Sequence, residues 1–74
     1  MRYNYDFNDP VDRFKFMEDA HNEIVNRFLD GLLVPHDPDS VESCWVSWSS
    51  NFTVNDPNGA REMFYSIVRE LDGK

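Results

Sequence analysis

The tripeptide Asn-Asp-Pro occurs twice, at 8–10 and at 55–57, and each copy sits between the same two patterns. Ahead of it stand alternating apolar residues, Tyr5 and Phe7 in one case, Phe52 and Val54 in the other. Behind it apolar residues recur at helical spacing. Asp is a favoured N-cap, and Pro fits the first helical position, where its missing N–H costs nothing. Each half therefore reads as a short strand followed by a helix. The helices do not otherwise align, so the echo is one capping solution used twice rather than a duplication.

The first helix is expected from Pro10 to about Leu33, with Val11, Phe14, Met17, His21, Ile24, Val25, Phe28 and Leu32 as its apolar stripe. Pro35 bars continuation, and Gly31 can end it. A second helix begins at Pro57 and carries Ala60, Met63, Phe64, Ile67, Val68 and Leu71 inward, with Gly73 placed to terminate it. Between them, Val34 to Ser43 is polar and punctuated by proline and reads as a loop. Cys44 to Val54, rich in Trp, Val, Phe and Thr, reads as one bent strand or two short ones. The expected fold is α+β, a two- or three-stranded sheet against two amphipathic helices, with an all-α arrangement as the alternative.

A chain of 74 residues makes one domain, since it buries only roughly 60% of its unfolded surface and cannot divide that core. Cys44 is the only cysteine, so no internal disulfide can hold the chain. Its 15% aromatic content supplies the core instead. The lone cysteine points to a reducing, cytoplasmic setting, and the opening Met1-Arg2-Tyr3-Asn4-Tyr5-Asp6 offers no apolar run for a signal peptide or a membrane span.

The net charge is -7, which opposes direct binding to nucleic acid or anionic lipid. Between Phe28 and Ala60 there is no Lys or Arg, whereas Asp30, Asp37, Asp39, Glu42 and Asp56 all lie there. Asp37, Asp39 and Glu42 are therefore candidates for meeting a basic partner.

Residues with catalytic potential do not assemble into a recognised pattern. Glu18 and His21 form a Glu-x-x-His pair, as in carboxylate-bridged metal sites, but without the second motif such sites need. His21, central in the apolar stripe, is expected to be a buried structural histidine. No Asp-x-Asp-x-Asp-Gly calcium spacing surrounds His36, Asp37 and Asp39, no Gly-rich phosphate loop is present, and Cys44 has no sequence-adjacent base. No enzyme activity, metal or cofactor is therefore expected.

Recognition remains. On a regular strand Trp45 and Trp48 point to opposite faces, which would leave Trp45 outward as an anchor. Phe16 falls off the apolar stripe, so it either packs under the N-terminal strand or stands exposed within a ring of charge. Arg61, Tyr65 and Arg69, spaced by four, form a further stripe. The expected function is that of a non-enzymatic acidic module binding a basic protein, in the manner of small phage-type inhibitors such as anti-CRISPR or anti-restriction proteins that block nucleic-acid-binding proteins. The analogy rests on size and acidity, not on a shared motif. The alternative is a homodimeric scaffold that buries Trp45 and Phe16 against a second copy.

Overall fold

The computed structural model describes residues 3–73. Met1 and Arg2, which open the segment read for a signal peptide, lie outside them, as does Lys74. The described residues form β1 (Asn4–Tyr5), α1 (Pro10–Leu29), α2 (Pro38–Ser49), β2 (Thr53–Val54) and α3 (Pro57–Asp72). The fold is α+β, with a two-stranded sheet. A third helix stands where the sequence suggested a loop running into a strand.

Each helix opens on an Asp-Pro pair. Asp9 accepts from the Val11 N–H at 3.0 Å, Asp37 from Asp39 at 3.0 Å, and Asp56 from Gly59 at 3.0 Å. A Cβ on Gly59 would run into the Asp56 carboxylate, so this position needs glycine for the cap to close. α1 stops at Leu29, four residues before the expected end. Gly31 adopts φ 75°, and the chain returns through Leu32 N–H to Arg27 C=O at 2.9 Å and Gly31 N–H to Phe28 C=O at 3.1 Å. These paired bonds are a Schellman turn, which the left-handed glycine permits. The turn sends Leu33 back into the core.

β1 and β2 pair in parallel, Asn4 with Thr53 and Tyr5 with Val54. The strands ahead of the two Asn-Asp-Pro tripeptides thus lie side by side, offset by two residues from the sequence echo. The core between sheet and helices is largely aromatic. Phe16 lies at its centre, 5.4 Å from Tyr5, 5.0 Å from Phe7 and 4.9 Å from Trp48, ring centre to ring centre. Trp48 continues to Phe52 at 4.4 Å and Phe64 at 5.6 Å, and Trp45 meets Phe64 at 5.2 Å. The three contacts of Phe16 are all edge-on or tilted, the geometry in which aromatic rings attract beyond simple burial.

Candidate functional site

Two of the expected anchors belong to this core. Phe16 is 0% exposed, because the N-terminal segment brings Tyr5 and Phe7 over it. Trp45 is 9% exposed. The segment holding Trp45 and Trp48 is helix, where residues three apart share a face, so both indoles turn inward. Neither Phe16 nor Trp45 offers a surface anchor. His21 is also displaced from its expected place. It is half-buried at the edge of the core, beside Phe14, Met17 and Ile67. Among the described residues, no three His, Cys, Asp or Glu side chains gather as a metal could require.

The acids of the middle segment divide by role. Asp37 caps α2, and hydrogen bonds from the Ser40 hydroxyl at 2.9 Å and from backbone N–H groups hold its carboxyl below the usual carboxylate range. Glu42 accepts from the Tyr65 hydroxyl and from Arg61 Nη2 at 2.5 Å, tying α2 to α3. A cation from outside the base-free span therefore reaches one of its acids. Asp39 is exposed on the solvent side of α2, and Asp30 is exposed at the end of α1.

Spacing along α2 puts Asp39, Glu42, Ser43 and Val46 on one face. Val46 is exposed there, and Leu32, also exposed, borders Arg27, Asp39, Ser40 and Ser43 in a shallow depression, where Arg27 is held by Glu23 at 2.7 Å and donates to the Ser47 hydroxyl at 3.0 Å. These two apolar side chains are exposed on and beside the α2 face, whereas Trp45 and Phe16 are buried. On the expected strand Val46 would share the inward face of Cys44 and Trp48; on the helix it falls outside the inward set Val41, Cys44, Trp45 and Trp48 and faces solvent.

On α3, Arg61 lies 5.5 Å over the Tyr65 ring. Burial and the Glu42 hydrogen bond push the Tyr65 phenol up, so it stays protonated around neutrality. Burial likewise pushes up the Cys44 thiol, which favours the thiol over the nucleophilic thiolate.

The broadest apolar exposure is on α1. Val11, Phe14, Met17, Phe28 and Leu29 are solvent-exposed, from 44% at Met17 to 75% at Leu29, with His21 and half-buried Val25 between them. At 100° per residue they span an arc of roughly 120°, centred about 120° around the helix from inward-facing Phe16, Ala20 and Ile24. Most of the stripe that periodicity assigned to the core thus faces water.

No helix among the described residues is long and apolar enough to cross a membrane. No protein-family model, curated protein or solved structure matches the chain, and a functional reading therefore stands on these faces alone.

Proposed function

We propose that this chain is a non-enzymatic, cytoplasmic protein-binding module whose α2 face engages a basic protein surface. A nucleic-acid-binding protein is the partner class that fits best, and covering its basic surface would inhibit it. One observation carries this reading: the base-free stretch folds into a helix that presents Asp39 and exposed Val46 on one face, with exposed Leu32 next to Asp39 and Asp30 at the preceding turn. Arg27 also lines the depression beside Leu32 but is paired with Glu23, which leaves Asp39 and Asp30 to set the sign of the rim. Apolar anchors beside such charge combine steering with a hold. The charge raises the encounter rate, and the desolvated anchor slows escape.

The structure changes which acids make a clean test. Asp37 is already engaged as the α2 cap, and neutralising Glu42 would unfasten α2 from α3. Asp30→Asn with Asp39→Asn alters charge alone. With a partner captured from the native cell and identified by mass spectrometry, the double variant and added salt should each slow association, by about tenfold for salt, because exposed charges are screened beyond ~8 Å at physiological ionic strength. Leu32→Ala and Val46→Ala should speed dissociation. An association rate indifferent to both salt and the double variant would overturn the acidic-surface reading.

A further inference from the structure

The exposed stripe of α1 is evenly disposed about its middle. Phe14, Met17, His21, Val25 and Phe28 are spaced three, four, four and three residues apart, so the stripe reads the same from either end. None of these positions carries Asp, Glu, Lys or Arg. A twofold rotation about its middle lays such a stripe on a second copy with apolar side chains facing apolar side chains, the arrangement of an isologous dimer.

We propose that a second copy of this chain covers the α1 face, with the two α1 helices antiparallel about a twofold axis at His21. Phe14 then lies against Phe28 of the second copy, Met17 against Val25, and His21 against His21. Val11 and Leu29, on one flank of the stripe, meet each other at both ends. The antiparallel arrangement also sets the positive end of each helix beside the negative end of the other.

The area is adequate. Val11, Phe14, Met17, Phe28 and Leu29 keep between 44% and 75% of their surface accessible, which makes an apolar patch of about the 300–600 Å² found for the largest patch on an ordinary monomer. A standard interface takes about 800 Å² from each partner, and Glu18, which falls within the arc between Val25 and Val11, with Asn22 and Lys15 just beyond it, makes one polar edge of the seam. This dimer differs from one built on Trp45 and Phe16, which are enclosed within each copy. It leaves both α2 faces free, so the proposal does not depend on the basic partner.

Sedimentation over a concentration series should show the mass rising from one copy to two. The dimer should tighten with salt, because each copy carries -7 and like charges repel, whereas a complex with a basic protein weakens. Phe14→Asp should abolish the dimer with the helical circular dichroism unchanged, while Val46→Asp, exposed on α2, should leave it intact. Register is read by mild oxidation with oxidised glutathione. His21→Cys should form an intermolecular disulfide. Phe14→Cys alone should not, since its two copies would sit about 20 Å apart along the helices, beyond the ~7 Å Cα separation that a disulfide spans. A mixture of Phe14→Cys and Phe28→Cys chains should cross-link to each other. A single-copy mass at millimolar concentration, a dimer that survives Phe14→Asp, or Phe14→Cys cross-linking to itself as readily as His21→Cys would each overturn the proposal.

Discussion

Phe14 and Phe16 are two residues apart on one helix, and they meet opposite environments. Phe16 is enclosed by Tyr5, Phe7 and Trp48, whereas Phe14 stands in solvent. Truncating Phe16 removes a side chain from the centre of a close-packed cluster, so Phe16→Ala should cost about 3–5 kcal/mol. Phe14→Ala should change the stability of a single copy by less than about 0.5 kcal/mol. Urea unfolding of both variants at dilute concentration, where a dimer would be dissociated, measures the contrast. Similar losses at the two positions would mean that α1 is rotated from the orientation described. The sequence could not rank these two rings. Periodicity finds the most continuous apolar face, but the face that is buried is the one that acquires neighbours. Here those neighbours are Tyr5 and Phe7, delivered by a segment preceding the helix, a tertiary choice that a helical wheel does not contain. The packing of Phe16 beneath that segment was the one alternative legible in advance.

Among the elements, α3 was legible almost to the residue, because its cap, its inward set and Gly73 all point the same way. α2 was not, although its signals are of the same type. Asp37-Pro38 repeats the Asp-Pro opening of the other helices, and Val41, Cys44, Trp45 and Trp48 follow the three-four spacing of a helix face. Two local features pointed the other way. Prolines at 35 and 38 resemble loop punctuation, and Trp, Val, Cys and Thr favour strands more than helices. Burial of two indoles on one face outweighs that preference. The Asp37 cap also gives α2 a pH dependence. Its carboxyl is held below the range of the unfolded chain, so its contribution is complete above about pH 4. That contribution is lost as pH falls through the lower, folded-state value. Asn caps about as well without titrating, so Asp37→Asn should retain its helix content at neutral pH and lose less of it on acidification than the parent. Circular dichroism from pH 6 to pH 2 provides the comparison. Identical acid profiles would mean that this cap does not govern the helix.

At the scale of the whole molecule, the α+β class and the strand–helix order of both ends were legible in the paired Asn-Asp-Pro segments. What lay beyond reach was how the two strands align, in parallel and two residues away from the sequence echo. β1 and β2 contribute only two residues each, and their parallel alignment is bridged by Thr53 N–H to Tyr3 C=O at 2.9 Å and Asn55 N–H to Tyr5 C=O. Most of the chain separates the partners, including both of the first two helices. Helices form from neighbours in sequence, whereas this pairing requires closure of a long loop, whose entropy must be met before the contact rewards it. The strands should therefore join after the helices have docked. A side chain that acts through such a late contact changes the unfolding rate and leaves the folding rate nearly untouched. Val54→Ala, at a half-buried position in β2, should cost about 1 kcal/mol and express it as unfolding roughly fivefold faster. Stopped-flow folding and unfolding arms would show the split, and a folding rate slowed by the full amount would place the strand pair in the nucleus instead. If the pair closes last, it has little part in how quickly the chain finds its fold and a large part in how long the fold endures.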